Sequence, residues 1–425
     1  MNNNLNKVKY EEPCDGRLSS TVPREGRGET PRHLLNRTDV FLSEVQDVLE
    51  HNILNWWLLM KDPKGGFYGE ADGTGEILRG APRGVILNAR IIWAFAAAYR
   101  QFPRQEYLDA AVHAGKWFLA HFIDREHGGV YWGVEASGAP QDTKKQLYAQ
   151  GFAIYGLSEL FRVHPDPKVL QAAVDLFRLV ETRFKDRENG GYTEALARDF
   201  SPLADMSLSA HDINADKTMN SHLHILEAYA NLYQVWPDKD LRQAVEDLLR
   251  IVCTKVMAPD GHLQLYFRRD WSVLPGGISY GHDIETSWLA LECASAVRDI
   301  DLVNRVHPYA LKMAQAGNEG LRADGSMIYE KLEDGTLDLS RQWWVLAESV
   351  VGNLWLWKFH GDVEAPDRAL STWAYIRDNI VDWDNGEWFW GVHPDGTPDK
   401  DSPKAGFWKC PYHNTRMCLQ VLDLI

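Results

Sequence analysis

The segment Gly128-Gly-Val-Tyr-Trp-Gly-Val134 decides the fold, because a glycine turn followed by alternating aromatic residues recurs along the chain. The related segments are GGFYGE from Gly65, GGYTEA from Gly190, GHLQLYF from Gly261, GSMIYEKLEDG from Gly325 and GEWFWGVHPDG from Gly386. Their spacing of roughly 60 to 70 residues indicates an internal repeat. Each segment predicts a glycine turn that opens a short β-hairpin.

Pairs of helical segments lie between these turns. Residues 88–99 (NARIIWAFAAAY) combine strong helix formers with apolar residues at helical spacing. The same pattern predicts about twelve helices in six pairs, at 41–60, 88–99, 106–122, 148–161, 167–184, 217–233, 239–256, 285–298, 302–316, 342–359, 365–381 and 415–424. The strands between them are too short and too far apart for a parallel sheet, which disfavours a doubly wound fold or a (β/α)8 barrel.

Closure of the six helix pairs on themselves is favoured over an open solenoid, because closure leaves no terminal repeat exposed. The predicted fold class is all-α: a single (α/α)6 barrel with short β-hairpin loops at one mouth. Residues 1–35 are polar and rich in Gly, Pro, Arg and Glu, and they predict a flexible N-terminal leader. Residues 36–425 are assigned to the barrel, which would be the catalytic domain.

Charge and composition exclude several classes of protein. The chain has 45 Lys and Arg against 60 Asp and Glu, a formal charge of −15, so it should repel nucleic acid and anionic lipid. No apolar run reaches the roughly 18 residues that a membrane helix needs, and the N-terminus lacks the apolar stretch of a signal peptide. The five cysteines are scattered and form no CxxC, as in reduced cytosolic proteins. We expect a cytoplasmic protein, a monomer or weak homo-oligomer, that binds neither nucleic acid nor membrane.

Polar residues interrupt several helices that should be apolar. Asn220 and His224 lie on one predicted helix face together with Lys217 and Glu227. A solvated outer face would explain this stripe, but similar stripes recur on other helices predicted to lie inside. Arg90 likewise interrupts an apolar helix, where an unpaired buried Arg would be costly.

A second set of polar residues begins at Gly281. His282, Glu285 and Trp288 are spaced by three residues, so their side chains would point the same way along a helix. Asp283 could simply cap this helix, with His282 beside it, although a cap does not require Glu285 and Trp288 on one face. A helix N-terminus also disfavours the cationic form of His282, which keeps a neutral base available.

Two further segments carry aromatic and titratable residues. Trp344 and Glu348 lie one helical turn apart, and a Glu stacked on a Trp inside a helix pair requires an explanation beyond core packing. The segment 407–416 (FWKCPYHNTR) packs aromatic, cationic, imidazole and amide groups into ten residues. It contains Trp408 and places His413 near the start of the last helix.

These residues favour proton transfer over metal or phosphate chemistry. The pair His222 and His224 falls on different helix faces, and the chain has no HExxH, so no metal site is predicted. GxGxxG, GxxxxGK[ST] and GxSxG are also absent. Two neutral histidines across a pocket suit removal and return of a proton at a carbon beside a carbonyl. Arg90 and Asn220 could stabilise the enolate oxygen that develops.

Five motifs, in order, resemble the cellobiose 2-epimerase group of the N-acylglucosamine 2-epimerase superfamily: LNARIIWAFAAAYR, DKTMNSHLHILEAY, SYGHDIETSWLALE, RQWWVLAE and WKCPYHNTRMC. The resemblance runs from about Phe41 to the C-terminus. It implies a cofactor-free (α/α)6 barrel that acts on a small sugar. This sugar would be either a cellobiose-type disaccharide or free D-mannose and D-glucose. It also implies a reaction: ring opening of a reducing aldose, abstraction of the C2 proton, a cis-enediolate, and reprotonation from the other face.

The resemblance assigns catalytic roles to six residues: His282, His413, His224, Arg90, Glu285 and Glu348. Among these, His282 and His413 match the acid/base pair, and His224 matches a third histidine that assists the reaction. The carboxylates match residues for hydroxyl binding and ring opening. Five residues are assigned to substrate binding: Asn220, Trp344, Trp408, Tyr148 and Trp288.

Two positions depart from the pattern of the group. Leu346 stands where the group commonly has Gln, and Phe407 where it has Pro, so the site for a second sugar is in question.

Three alternatives remain open from the sequence. An aldose–ketose isomerase would share the enediolate but return the proton to C1; the second histidine, His413, argues against it. An inverting glycoside hydrolase would need two carboxylates about 6.5–9.5 Å apart. A barrel that binds sugar or protein without catalysis is the third alternative.

Overall fold

The computed structural model describes residues 32–209 and 212–425, with side chains from Thr38 onward. The chain divides into two compact units, residues 1–40 and 41–425. Positions 1–31 of the predicted leader lie outside the described residues. The first helix begins at Arg32, which falls within the range 1–35 predicted for the leader.

Helices account for most of the described chain. They are α1 (Arg32–Asp47), α2 (Asn55–Leu59), α3 (Val85–Gln101), α4 (Gln105–His121), α5 (Leu147–Val163), α6 (Pro167–Arg183), α7 (Met219–Tyr233), α8 (Lys239–Ile251), α9 (Tyr280–Ala296), α10 (Ile300–Gly317), α11 (Trp343–His360), α12 (Ala365–Asn379) and α13 (His413–Leu424). A π-helical segment, Val48–Leu54, joins α1 to α2, a second one, Val252–Val256, extends α8, and a 3₁₀ turn, Asn318–Gly320, extends α10. The predicted helix 285–298 therefore begins earlier than expected, at Tyr280, which places His282 in the first turn of α9.

Six inner helices form a closed ring. Helix α3 packs on α5, α5 on α7, α7 on α9, α9 on α11, α11 on α13, and α13 returns to α3. The remaining helices pack outside: α4, α6, α8, α10 and α12 each lie against an inner helix, and the π-helical segment before α2 packs on α13. This ring confirms the predicted (α/α)6 barrel.

The sequence patterns of the two layers differ for a physical reason. Inner helix α11 is buried continuously from Trp343 to Leu356, because it contacts neighbours on all sides. Outer helix α8 buries only a stripe that includes Leu241, Val245 and Leu248. A helix that is apolar all round belongs inside, whereas an amphipathic one covers a core with one face. Polar residues on an inner helix therefore need a role.

Short antiparallel strands tie each repeat to the next. The strands are β1 (Arg83–Gly84), β2 (Gly133–Val134), β3 (Pro140–Asp142), β4 (Lys145–Gln146), β5 (Ala195–Leu196), β6 (Lys217–Thr218), β7 (Tyr266–Phe267), β8 (Ile278–Ser279), β9 (Glu330–Lys331), β10 (Leu337–Asp338), β11 (Arg341–Gln342) and β12 (Gly391–Val392). Strands β1, β4, β6, β8 and β11 directly precede inner helices, and they pair with β2, β5, β7, β9 and β12 of the following glycine hairpins. A bridge between Ala71 and Ala405 links the first hairpin to the segment before α13. The N-termini of all six inner helices thus meet at one mouth.

The repeated glycine hairpins also carry a buried ion pair. Asp124 accepts hydrogen bonds from backbone N–H groups of its own turn and binds Lys145 at 2.9 Å. Asp186 and Lys217 repeat this arrangement, again at 2.9 Å. In both cases the cation lies two residues before an inner helix, so the ion pair holds the hairpin against the mouth end of that helix. No described helix is long and apolar enough to cross a membrane.

Candidate active site

The predicted site residues gather at the mouth ends of the inner helices. Nine of them lie in the N-terminal halves of these helices, and Trp288 lies at the middle of α9: Arg90 is on α3, Tyr148 on α5, Asn220 and His224 on α7, His282 and Glu285 on α9, Trp344 and Glu348 on α11, and His413 on α13. Trp408 lies in the segment before α13. The barrel therefore brings together side chains that are up to 323 positions apart, because every repeat delivers its inner helix to the same mouth.

One buried guanidinium organises the floor of this site. Arg416 on α13 donates to Glu227, Glu285 and Glu348, each at 2.6 Å. All four side chains are at most 3% exposed. Arg416 also lies over the ring of Trp288, 4.7 Å from its centroid. A planar guanidinium with five donors suits this task, because it binds several carboxylates from fixed directions.

The carboxylate of Glu348 orients His413. Glu348 Oε1 lies 2.7 Å from His413 Nδ1, and Glu348 Oε2 accepts from the indole N–H of Trp288 at 3.0 Å. Since both carboxylate oxygens act as acceptors, His413 Nδ1 carries the proton and Nε2 is the unprotonated nitrogen of the neutral ring. Burial lowers the pKa of His413 well below its usual range. His413 is thus a neutral base held in one orientation.

His224 is held in a similar way. Its Nδ1 lies 2.9 Å from Oε2 of Glu227. Burial by itself would raise the pKa of Glu227, but Arg416 and His224 outweigh it and lower this pKa to about 2. Because this carboxylate is ionised, it accepts, and His224 Nδ1 donates. The hydroxyl of Tyr412 also donates to Glu227, at 2.5 Å.

His282 lies closer to the mouth. Its Nδ1 is 2.7 Å from the hydroxyl of Ser279, and its ring centroid is 4.7 Å from that of Trp344. The ring of His413 contacts the same indole at 5.6 Å. Burial lowers the pKa of His282 to about 4. Trp344 therefore contacts two neutral imidazoles, each of which has an Nε2 without a hydrogen-bond partner among the described residues.

Arg90 is a cation without a carboxylate among the described residues. It donates to the hydroxyl of Tyr148 at 2.8 Å, and its guanidinium lies 4.1 Å from the ring centroid of Phe152 and 4.5 Å from that of Tyr412. Its Nε has no hydrogen-bond partner. A buried Arg held by aromatic rings and a phenol keeps positive charge available for an anion that forms next to it.

Two further polar atoms are buried without partners. Glu285 Oε2 and Asn220 Oδ1 make no hydrogen bond, although the other oxygen of Glu285 binds Arg416. Buried polar atoms are nearly always satisfied in folded proteins, so such exceptions indicate a place where a ligand hydroxyl can bind. Trp288, in contrast, is only 1% exposed and uses its N–H on Glu348, so it contacts the carboxylates from below.

An aromatic platform lies at the mouth. Trp408 is half-buried, and its ring centroid is 5.9 Å from Tyr148, 5.8 Å from Trp132 and 5.1 Å from Phe407. Flat aromatic faces that remain partly open to solvent are suited to stack on apolar faces of a ligand. We call Trp132, Phe407 and Trp408 the mouth platform.

Glu285, Glu348 and His413 form the one group among the described residues that could hold a metal ion, with ligand atoms within 4.8 Å of one another. Nη2 of Arg416 binds both of these carboxylates at 2.6 Å. The guanidinium therefore supplies the positive charge that these oxygens face. The expectation of a site without metal or cofactor stays a prediction.

Sequence reasoning gave no role to three members of this site, although it placed Glu227 on the polar helix face with Asn220 and His224. Arg416, Glu227 and Tyr412 form its hydrogen-bonded floor, and the argument that a buried Arg needs partners, applied to Arg90, applies equally to Arg416. Lys217, which was grouped with Asn220 and His224 on one face, is instead fully buried in β6 and bound to Asp186. It supports the hairpin.

A closed (α/α)6 barrel with histidines, buried carboxylates and tryptophans at its mouth is an arrangement suited to an isomerase that acts on sugars. Comparison with known proteins specifies the class. The family model described as N-acylglucosamine 2-epimerase (GlcNAc 2-epimerase) matches residues 66–416. The chain belongs to this family, within its cellobiose 2-epimerase group, and it is an epimerase that acts on sugars.

Individual relatives support this assignment over nearly the whole chain. The cellobiose 2-epimerase of Bacteroides fragilis is 46% identical over 388 residues, which cover 90% of this chain and 99% of the relative. The cellobiose 2-epimerase of Ruminococcus albus is 36% identical over 386 residues, 90% of this chain and 98% of the relative. The structure of cellobiose 2-epimerase from Spirochaeta thermophila matches with a TM-score of 0.88 and 37% identity, covering 93% of this chain and 98% of that one.

Proposed function

We propose that this protein interconverts the gluco and manno configurations at C2 of a reducing aldose, and that its substrate is a cellobiose-type β-1,4-disaccharide. Free D-mannose and D-glucose are the second candidate. The observation that carries the proposal is the pair of neutral imidazoles, His282 and His413, that both contact the indole of Trp344. Two histidines that reach one carbon from different directions would suit removal of a proton from one face and delivery to the other.

The proposed reaction begins with the open-chain aldose. One histidine takes the C2 proton, the electrons move to the C1 oxygen, and a cis-enediolate forms. The other histidine, after it has taken a proton from solvent, then protonates C2 from the opposite face, and the first histidine returns the abstracted proton to solvent. Arg90 stabilises the enediolate oxygens, because no carboxylate among the described residues neutralises its charge. The unpartnered amide oxygen of Asn220 binds a sugar hydroxyl beside it.

The two carboxylates assigned from the sequence receive different roles. Glu285 keeps one oxygen free, so it binds a sugar hydroxyl and assists ring opening together with His224. Both oxygens of Glu348 are used by protein donors, so Glu348 acts through His413, as a positioning residue. Trp288 supports Glu348 in the same way. This division follows from which oxygens remain available to a ligand.

The mouth platform supports a disaccharide. Phe407, one of the two departures from the family pattern, lies over Gly84, where a Cβ would approach its ring within 2.4 Å, and it adds a third ring to the platform. The other departure, Leu346, is fully buried, so it offers no surface to a sugar. We infer that the platform stacks on the second sugar while the reducing sugar lies against Trp344.

The carboxylate geometry disfavours an inverting glycoside hydrolase. Glu285 and Glu348 bind the same nitrogen of Arg416, each at 2.6 Å. Their oxygens are therefore closer than the roughly 6.5–9.5 Å that such enzymes use. We keep the sequence-based expectation of a cytoplasmic monomer or weak homo-oligomer that uses no cofactor.

The test is proton NMR of the purified protein in deuterated buffer, with cellobiose and separately with D-mannose. We expect the C2 epimer of cellobiose with deuterium at C2, and faster turnover of cellobiose than of D-mannose. Faster turnover of D-mannose would assign the enzyme to monosaccharides. Ketose as the main early product would identify an aldose–ketose isomerase, and no exchange with either sugar would leave a barrel that only binds.

A further inference from the structure

A thiol lies against the guanidinium of Arg90. Nη1 of Arg90 donates to the sulfur of Cys410 at 3.6 Å, across 320 positions of the chain. Cys410 is fully buried and lies in the segment that leads into α13, two residues after Trp408 and three residues before His413. The contact therefore fixes the guanidinium on α3 relative to the segment that carries both of these site residues.

The thiol of Cys410 has one proton, and a backbone carbonyl accepts it. Cys410 Sγ donates to the backbone oxygen of Trp408 at 3.5 Å. The lone pairs of the sulfur are therefore available to accept from Arg90. Burial raises the pKa of this thiol, although Arg90 by itself lowers it, so the sulfur stays uncharged at neutral pH. A neutral sulfur is a weak acceptor, which can hold a guanidinium in place and leave its charge intact.

The two buried arginines of the site have opposite kinds of partner. Arg416 donates to three carboxylates, whereas Arg90 donates to a phenol and a thiol and has aromatic rings over its faces. These two contacts use two of the five N–H groups of Arg90, and its Nε has no partner although the side chain is only 3% exposed. An anion that forms beside Arg90 therefore meets a charge that no carboxylate has neutralised, together with free donors.

We propose that Cys410 is a positioning residue for epimerisation, which holds Arg90 in the direction that the enediolate requires without neutralising its charge. This inference rests on the proposed function, because it assigns the enediolate to Arg90. The thiol itself does not react, and no proton leaves it. A carboxylate in the place of the thiol would form an ion pair with Arg90, and the enediolate would then have to compete with that carboxylate for the cation.

The decisive comparison is Cys410→Asp against Cys410→Asn, since these two side chains have the same shape and differ in charge. The Asp carboxylate stays ionised beside Arg90 and neutralises it. Removal of one donor to an oxyanion typically lowers kcat by about 10²–10³-fold. We therefore expect kcat for cellobiose to be about a hundredfold lower in Cys410→Asp than in Cys410→Asn. KM should stay within about threefold in both variants, because the enediolate forms only after binding.

Cys410→Ser and Cys410→Ala test the positioning itself, and they decide the proposal if Cys410→Asp does not fold. Ser keeps a neutral acceptor and should retain kcat within about threefold of the wild type, whereas Ala leaves Nη1 of Arg90 unheld and should lower kcat by about tenfold. Cys418→Ala is the matched control. Cys418 is also fully buried, on α13, and forms no hydrogen bond with Arg90 in the described part of the chain. This control should leave kcat unchanged.

The Nε–H resonance of Arg90 reports the contact without any turnover. It is measured by NMR in the ¹⁵N-labelled full chain and assigned by its loss in Arg90→Lys. We expect this resonance to shift in Cys410→Ala and to stay in place in Cys418→Ala. The proposal is overturned if Cys410→Asp and Cys410→Asn have equal kcat, or if Cys410→Ala leaves both kcat and the Arg90 resonance as in the wild type.

The same spectra separate this proposal from the proposed function. If the wild type converts neither cellobiose nor D-mannose, the proposed function fails by itself. An unshifted Arg90 resonance in Cys410→Ala would then overturn the positioning role as well, whereas a shifted resonance would support it.

Discussion

Replacing Arg416 by Met should destabilise the protein more than the loss of any exposed Arg. The substitution keeps a side chain of comparable length but removes the guanidinium that binds three carboxylates at 2.6 Å. Breaking a buried ion pair by removing one partner costs about 3–5 kcal/mol, because the remaining charge stays buried. Since three carboxylates lose one cation, we expect a loss of about 5 kcal/mol in the free energy of unfolding at neutral pH.

The loss should depend on pH in a defined direction. In the wild type, Arg416 lowers the pKa of Glu227 to about 2, so Glu227 is ionised in both folded and unfolded chains above pH 5. Without Arg416, burial dominates and raises the folded-state pKa values of Glu227 and Glu348 above their unfolded values. The variant then keeps its stability at low pH and loses it as pH rises through the raised pKa values. The difference between wild type and variant should therefore be larger at pH 8 than at pH 5.

Urea denaturation followed by circular dichroism, at pH 5 and at pH 8, measures this difference. Arg242→Met is the matched control, because Arg242 also binds two carboxylates, Glu246 and Asp299, at 2.8 and 2.7 Å, but its side chain is 41% exposed. An exposed pair contributes about 0–1 kcal/mol. The reasoning is refuted if Arg416→Met loses no more stability than Arg242→Met, or if its loss is larger at pH 5.

Four further substitutions test other parts of the structure. His413→Ala should abolish epimerisation while the melting temperature stays within a few degrees; near-normal turnover would contradict the two-histidine scheme. Trp408→Ala should raise KM for cellobiose by about fivefold or more, since removal of a buried aromatic anchor costs about 1 kcal/mol or more, and an unchanged KM would exclude Trp408 from the site. Burial raises the pKa of Glu194 to about 7, so the wild type should lose stability as pH rises through 7. Glu194→Gln should avoid this loss and be more stable by about 3 kcal/mol at pH 8.5, with little difference at pH 4.5; equal pH profiles would refute the assignment. Gly191→Ala should lower stability by about 1–3 kcal/mol, because Gly191 has φ +72° and a Cβ there would lie 2.5 Å from an indole ring atom; an unchanged melting temperature would contradict it.

The fold was largely predictable because its signals are local. Glycine turns, the alternation that follows them, and the helical spacing of apolar residues all act over a few residues. The count of six helix pairs and the closed ring followed from repetition. The strand pairing was not predictable in detail. The bridge between Ala71 and Ala405 joins segments from opposite ends of the domain, and no local pattern encodes it.

The site was predictable where a polar residue interrupts an inner helix, as with Arg90, His224 and Glu285. Burying such a residue is costly unless it has partners, so its position alone indicated a role. Its partners were not predictable, because they lie far away in sequence. Arg416 binds Glu227 across 189 positions and Glu285 across 131 positions.

The amino-acid sequence by itself therefore determined the class of barrel and most of the residues that gather in the candidate site. Tertiary structure alone decided which of these residues keep polar atoms free and which are held by other side chains. It places Glu348 and Trp288 beneath His413 and leaves one oxygen of Glu285 free. The physical reason is that periodicity specifies which face of a helix is buried, whereas hydrogen bonds and charges depend on atoms that meet only after the ring has closed.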